Sequence, residues 1–382
     1  MSPRVVWAGN SYFGSPLQVG CNYYASNLAT AGWQVLFSAP PVTPWHRFAG
    51  GGDRVGMAGR HRQIAERLWQ IIPFTLLPPA KSRRYPAAVA ELAARHWHRF
   101  CVPALAPQIE GLGFAEADAL VVDIFSAWPL LQQIGHKQLI VRVTDRLAGF
   151  GVNRAALALE RELIERADRV FYTARALRPG LEKLNGRLCY LPNGVDAGRY
   201  RVRHALPDEY REVDGTIAVY VGAIDAWFDF EAMDRAIDCL PQVQFFVIGP
   251  DGLARRRLRS RPNLHLLGRR SPGQVAALLQ HAHVGLLPFD VSRHARLVEC
   301  ISPLKLFEYL AAGLPVVSAR WPEVEGISER VSFYGDAAEF VESLASVPRE
   351  RSSEPQRQRF IAQHSWQART RDFMAAAALA HG

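Results

Sequence analysis

Several patterns that mark large protein classes are missing from this chain. Five cysteines are spread over 382 residues, at positions 21, 101, 189, 239 and 300. Their odd number and lack of CxxC spacing argue against a disulfide-stapled fold and a cysteine zinc site, and fit reduced thiols in a cytosolic protein. No stretch approaches the ~20 apolar residues needed to span a bilayer. The N-terminus runs directly into the strand-like Arg4-Val5-Val6-Trp7-Ala8, without the layout of a signal peptide. The expected location is therefore cytoplasmic. No Asp-x-Asp pair occurs, and His281-Ala282-His283 has no third ligand nearby in sequence, so neither a metal nor another cofactor is expected. The loop Gly9–Gly20 is not GxGxxG, which gives dinucleotide oxidoreduction little support. Zinc-finger spacing, an RNA-recognition signature and a basic zipper are also missing, so nucleic acid is not the expected partner. The net charge of +9 nonetheless calls for anionic company.

What is present is a regular alternation of strand-like and helix-like stretches, which points to α/β architecture with parallel sheets. In the first half, strands are expected at Arg4–Ala8, Gln34–Ser38, Ala119–Asp123, Gln138–Val143, Arg169–Thr173 and Leu188–Leu191. Helical patterns lie between them, as at Leu17–Ala31 and Arg154–Ala167. The second half repeats the scheme at Thr216–Gly222, Val243–Gly249, Asn263–Leu267, His283–Pro288, Pro315–Ser318 and Val331–Tyr334. Asp196–Gly215 is rich in charge and poor in apolar runs, and reads as a linker. The expected domains are 1–200, 201–360 and a terminal helix over 361–382. Length permits this, since 382 residues suit two domains of about 150 to 200 each.

Trp45–Phe100 departs from that rhythm. It holds ten Lys or Arg against three acids, and the apolar stretch Leu68–Pro79. Aromatic and aliphatic residues flanked by arginines suit a segment lying in an anionic membrane interface. The competing reading is an insertion whose apolar residues pack in the core and whose charges are solvated.

The most informative segment is Ser302–Ser318. Ser302 suits an N-cap and Pro303 the first helical position. Gly313 suits the left-handed residue after the helix, and Pro315 cannot continue it. Lys305 lies in the first turn, where the helix dipole disfavours a cation unless an anion occupies the helix end. Glu308 follows three residues later on the same face. Phosphate on the lysine and free N–H groups, with ribose hydroxyls on the carboxylate, is one reading. An amphipathic core helix with a solvated Lys–Glu pair is the other.

The wording P-x-K-x-x-E-x-x-x-x-G-x-P-V-V over Pro303–Val317 resembles the donor-binding helix of GT-B fold glycosyltransferases. The run Val141–Phe150 and the x-G-x-x-x-x-F-D pattern around Gly222 are similar to the inverting xanthan glucuronosyltransferase family. Pro192–Asp196 and the terminal His364-Ser365-Trp366 have GT-B counterparts too. The resemblance implies two Rossmann-like domains facing each other across a cleft, with the C-terminal helix crossing back to the first. It implies transfer of a sugar from a nucleotide donor, a UDP-sugar, to an acceptor hydroxyl of a glycan or lipid-linked precursor with inversion. The protein would then work peripherally on the inner face of the cell membrane.

Residue by residue, the resemblance makes Asp145 the catalytic base. Donor contacts fall on Gly222, Ala223, Ile224, Ser302, Leu304, Lys305 and Glu308, with Phe289 stacking on the nucleobase. Gly14 and Ser15 in the first loop, and Arg293 and Arg296 in a polar loop before the donor helix, are further candidates. Two departures stand out. Arg146 replaces the glycine that follows the family's aspartate. Gly222–Phe230 also lacks the Arg and Lys with which large retaining families hold the diphosphate. Each residue has a plainer reading: an ion pair of Asp145 with Arg142 or Arg146, core packing for Phe289, helix capping for Asp225 and Asp229. Rival functions are a retaining transferase, a nucleotide-sugar epimerase, or a catalytically silent scaffold of a polysaccharide complex.

Overall fold

The computed structural model describes residues 2–15, 18–48, 52–77 and 86–379. Contacts divide the chain into two compact units, Met1–Pro192 with Arg369–Gly382, and Asn193–Ala368. The expected boundaries at 200 and 360 thus fall at 192 and 368 by this measure.

The first unit is built on eight strands: β1 (Arg4–Ala8), β2 (Gln34–Ser38), β3 (His61–Ala65), β4 (Leu68–Ile71), β5 (Glu116–Val122), β6 (Gly135–Val143), β7 (Arg169–Tyr172) and β8 (Leu188–Tyr190). Their order is β3-β4-β2-β1-β5-β6-β7-β8. Only β3 runs antiparallel to its neighbour. Central strands such as Val5-Val6-Trp7 and Leu120-Val121-Val122 are buried without alternation, as expected when both faces of a parallel sheet are covered. The chain winds outward from β1 through β2, then returns to β5 on the other side. Strand order therefore reverses between β1 and β5, where open α/β sheets bind ligands beyond the strands' carboxyl ends.

Trp45–Phe100 supplies β3 and β4, which were not expected as strands. Leu68, Gln70, Ile71 and Ile72 are buried in the sheet, so the core-packing reading holds for them and the membrane reading does not. Pro78, Pro79, Lys81, Arg83 and Arg84 lie outside the described residues. Near the C-terminus, Phe373 packs in the first unit against Trp7, Tyr24 and Phe171, with ring centroids 5.3, 5.6 and 4.8 Å apart.

The second unit carries β9 (Thr216–Val221), β10 (Val243–Ile248), β11 (Leu264–Gly268), β12 (Val284–Leu287), β13 (Val316–Ala319) and β14 (Val331–Tyr334). All pair in parallel in the order β11-β10-β9-β12-β13-β14, so strand order reverses between β9 and β12. The presumptive linker is not extended chain. It forms the short helix Ala197–Arg201 and a turn at Asp208–Tyr210, and buries Tyr200 and Tyr210 in this unit's core. His364-Ser365-Trp366 pairs with Val195: Val195 N donates to His364 O at 2.8 Å, and Trp366 N to Val195 O at 3.0 Å.

The helix Leu304–Ala311 starts one residue later than its sequence suggests. Pro303 is the N-cap and makes no side-chain cap. Ser302 instead accepts from Asn193 N at 3.1 Å through its hydroxyl, and its carbonyl accepts from Asn193 Nδ2 at 2.9 Å. The other end matches expectation. Gly313 has φ +86°, Gly313 N donates to Leu310 O, and Leu314 N donates to Tyr309 O. This paired closure satisfies carbonyls that the last turn leaves open.

Candidate active site

In the first unit, a cavity of about 650 Å³ opens at the carboxyl ends of β1, β2, β5 and β6. Its lining includes Asn10, His46, Arg54, Asp123, Arg142, Asp145 and Glu160. Its floor is a buried ion pair, Arg142 Nη1 to Asp123 Oδ2 at 2.9 Å. Trp7 Nε1 donates to the same carboxylate oxygen at 3.0 Å, and Arg142 lies over the Tyr24 ring. Burial pushes the Asp123 carboxyl up, opposed by the charge and hydrogen bond of Arg142 and the hydrogen bond from Trp7.

Asp145 follows β6 at this cavity. Its oxygen accepts from Thr144 Oγ1 at 3.0 Å, and Thr173 Oγ1 pins the Thr144 carbonyl at 2.9 Å. The ion-pair alternatives are not realised: Arg142 is engaged by Asp123, and Arg146 Nη2 points to Ala176 O. Asp145 is solvent-exposed by its accessible surface, standing at the open cavity wall with protein packed behind it. The resulting desolvation raises its carboxyl above the ordinary range, with the Thr144 hydrogen bond and Arg142 opposing. Arg146 has φ −81°, a conformation open to any residue, so the missing family glycine imposes no strain. Gly14, with φ +101°, and Ser15, whose N–H donates to Tyr12 O, do not line the cavity.

Glu160 was not singled out from sequence. It lies in the helix Arg154–Arg166, capped by Asn153 Oδ1 on Ala156 N at 2.9 Å. The available signal is its spacing, four residues from Ala156 and Ile164, which puts a carboxyl on the buried stripe. Burial alone pushes it up to about 7. Asp123 was also missed, because at the end of an apolar run it reads simply as the strand's last residue.

In the second unit, the expected donor elements converge at the β9–β12 reversal. Tyr309, on the helix that carries Lys305 and Glu308, accepts from Val221 N at 2.8 Å and donates to Leu286 O at 3.3 Å. The loop after β9 pairs with the loop after β12: Asp229 N donates to Pro288 O, and Asp290 N to Trp227 O. Phe289 is buried and stacks on Trp321, with centroids 5.4 Å apart. Trp321 Nε1 in turn donates to Ile301 O at 3.0 Å, which links Phe289 to the residue before Ser302.

Lys305 Nζ lies 2.7 Å from Glu308 Oε2, both partly buried. Gly222 is not an open approach for a ligand. A Cβ there would meet the Tyr220 hydroxyl at 2.7 Å, and one on Gly249 would meet Gly222 O at 1.9 Å. The chain's own packing uses that space. Ala223 O accepts from Tyr220 Oη at 2.6 Å, and Ile224 is buried. Asp229 caps the helix Phe230–Cys239 through Ala232 N at 2.9 Å. Arg293 and Arg296 do not sit in a loop. They belong to the helix Val291–Val298, kinked at His294, and Arg293 reaches Asp290 and Glu231 at 3.4 Å each. His281 and His283 bond to backbone groups at His204 and Ile217.

Comparison with known proteins agrees with this arrangement. Residues 7–173 match the model of the glucuronosyltransferase GumK N-terminal domain, and residues 230–375 match a glycosyl transferase-like model. TuaH of Bacillus subtilis (strain 168), named as a teichuronic acid biosynthesis glycosyltransferase, is 27% identical over 173 residues, 43% of each chain. The chain thus spans under half the length of that curated relative. Among solved structures, sucrose-phosphate synthase of Thermosynechococcus elongatus has a TM-score of 0.66 at 18% identity, covering 98% of both chains. HepE of Anabaena in complex with UDP-glucose has a TM-score of 0.58 at 13% identity, covering 97% of this chain and 94% of that one. WaaG, involved in lipopolysaccharide biosynthesis, has a TM-score of 0.56 at 16% identity, covering 99% and 100%. The chain thus has the GT-B fold, and it resembles glycosyltransferases in sequence, with a GumK-like first half.

Proposed function

We propose that the protein moves a sugar from a UDP-sugar to an acceptor hydroxyl with inversion, without a divalent ion. Asp145 is the base, and the first-unit cavity receives the acceptor. The observation that carries this reading is a carboxylate with no cationic partner of its own among the described residues, raised by desolvation, at the wall of a large cavity beyond the strand ends. A base needs that combination: it must be free to accept the acceptor's proton, and basic enough to hold it. As Asp145 removes the proton, the hydroxyl oxygen attacks the anomeric carbon and the bond to the diphosphate breaks. The departing charge falls to Lys305 and the free N–H groups of its helix, while Glu308 turns to ribose hydroxyls. The Lys305–Glu308 pair in the free protein is partly buried, so opening it costs more than the ~1 kcal/mol or less that an exposed pair is worth. A diphosphate offsets that cost with its own charge-assisted contacts to Lys305.

The UDP-glucose complex of HepE, which shares the fold, supports a UDP-sugar donor. A trehalose-6-phosphate synthase studied for transfer with retention also shares it, so the stereochemical assignment rests on Asp145. The test is Asp145→Asn. Transfer is expected to fall by at least about a thousandfold with UDP affinity within twofold of wild type. Retained turnover removes Asp145 from the mechanism, and product of unchanged anomeric configuration replaces inversion with retention.

We also propose a membrane-bound acceptor substrate. Trp45, Phe48, Leu76, Val89, Leu92 and Phe100 are exposed within the basic stretch of the first unit, and exposed Val102 follows it directly. Leu76 N donates to Phe100 O, and Val102 N to Phe74 O, which groups part of this set. Exposed apolar groups among arginines suit an anionic interface. No described helix is long and apolar enough to cross a membrane. Binding to anionic vesicles that salt releases is expected, and equal binding to neutral vesicles refutes it.

A further inference from the structure

The helix Arg154–Arg166 presents a carboxyl that folding does not explain. Its neighbour Glu162 is engaged, with Arg95 Nη2 at 2.8 Å and Arg166 Nη2 at 2.6 Å. Glu160 makes no such pair among the described residues. It lines the 650 Å³ cavity with Asp145 and the Asp123–Arg142 pair. Placing an unpaired carboxyl among Ala156, Leu159, Leu163 and Ile164 weakens the core, because burial disfavours its charge without a compensating cation. A residue kept at such a cost, at the wall of a ligand-sized cavity, suits a ligand contact.

We propose that Glu160 is a specificity-determining residue for the acceptor, its carboxyl hydrogen-bonding an oxygen of an uncharged sugar held in the first-unit cavity. The inference rests on the reading of that cavity as the acceptor site. The surrounding charges define the setting. The cavity wall supplies His46, Arg54, Asp123, Arg142 and Asp145. The guanidinium of Arg142 is taken by Asp123, and Arg54 Nη2 donates to Pro40 O at 2.9 Å. From the packed helix Ala87–His96, Arg95 is held by Glu91 and Glu162. No cation among the described residues is thus committed to Glu160, and burial leaves its carboxyl poised at about 7. A sugar entering the cavity removes more water from that carboxyl. The protonated form then donates to a sugar oxygen, whereas the ionised form must give up its remaining hydration. Binding should therefore draw a proton from solvent near pH 7.5.

The test uses full-length protein and a panel of n-octyl glycosides of neutral sugars as acceptor stand-ins. Calorimetry at pH 7.5 in buffers of different ionisation enthalpy measures proton uptake on binding. Wild type is expected to take up a fraction of a proton. Glu160→Gln, which still donates, is expected to bind within about threefold of wild type with that uptake lost. Glu160→Ala is expected to bind about tenfold more weakly, the loss of one hydrogen bond of roughly 1.4 kcal/mol. Circular dichroism of both variants confirms that they fold. Glycoside binding without proton uptake, or uptake unchanged in Glu160→Gln, overturns the assignment and leaves the acceptor cavity standing. If no glycoside binds, the acceptor cavity and this inference fall together, while UDP binding by the same protein keeps the donor reading intact.

Discussion

Glu160→Gln should make the protein more stable, by a margin that grows as pH rises above about 4.5 and levels off above about 7. The ordinary glutamate value of 4.5 describes the unfolded chain, and burial lifts the folded value to about 7. Below the lower value both states hold the proton, so the carboxyl contributes nothing to the pH dependence. Between the two, the folded state keeps the proton that the unfolded state has released. Stability therefore falls as pH rises through this window, and levels off above the folded value. The difference of about 2.5 between the two values, at roughly 1.4 kcal/mol per pH unit, sets a ceiling of about 3.5 kcal/mol. The open side of the cavity supplies water that screens the charge, which brings the expected cost down to roughly 1–2 kcal/mol. For units of this size that is a melting shift of about 3–6 °C. Glutamine keeps the shape and carries no charge, so it removes the penalty. Differential scanning fluorimetry of both proteins from pH 5 to pH 9 reads the effect directly, because every other titrating group cancels in the comparison. The variant should lead by several degrees at pH 8.5, and the lead should shrink as pH falls towards 5. A lead that is constant with pH, or no lead, would show that Glu160 is not desolvated and would refute the reasoning.

Lys305→Ala should weaken UDP binding by at least about tenfold by calorimetry, since a cation at a helix N-terminus is the principal charge available there for the diphosphate; unchanged affinity refutes the phosphate seat. Arg142→Met leaves the Asp123 carboxyl buried with Trp7 as its one remaining side-chain donor among the described residues. Breaking a buried pair from one side costs about 3–5 kcal/mol, so urea unfolding should show a loss of that order, and Asp123→Asn in the same background should recover part of it. A loss below about 1 kcal/mol would mean that water reaches the pair.

Legibility differed sharply between elements. Strands such as Val5-Val6-Trp7 and Leu120-Val121-Val122 are unbroken apolar runs, and the sheet covers both of their faces, so their burial follows from composition alone. The end of the helix Leu304–Ala311 was equally plain, because Gly313 and Pro315 leave the backbone few options. β3 was not legible: His61–Ala65 is largely exposed and owes its strand form to pairing with β4. Ser302 was misread as a cap because nothing in its neighbourhood announces Asn193, 109 positions away.

The sequence by itself determined the alternation of elements, the two-unit α/β plan, the helix that bears Lys305 and Glu308, and Asp145 as the carboxylate after β6. These are local properties, set by periodicity, capping chemistry and side-chain type within a few residues. Only the tertiary structure decided which carboxylates are free. It paired Arg142 with Asp123 instead of Asp145, and Lys305 with Glu308. It filled the space at Gly222 with Tyr220 and Gly249, and brought Glu160 to the wall shared with Asp145. Pairing and desolvation depend on groups far apart in the chain, so the charge state of each carboxyl is a property of the folded molecule and not of its local sequence.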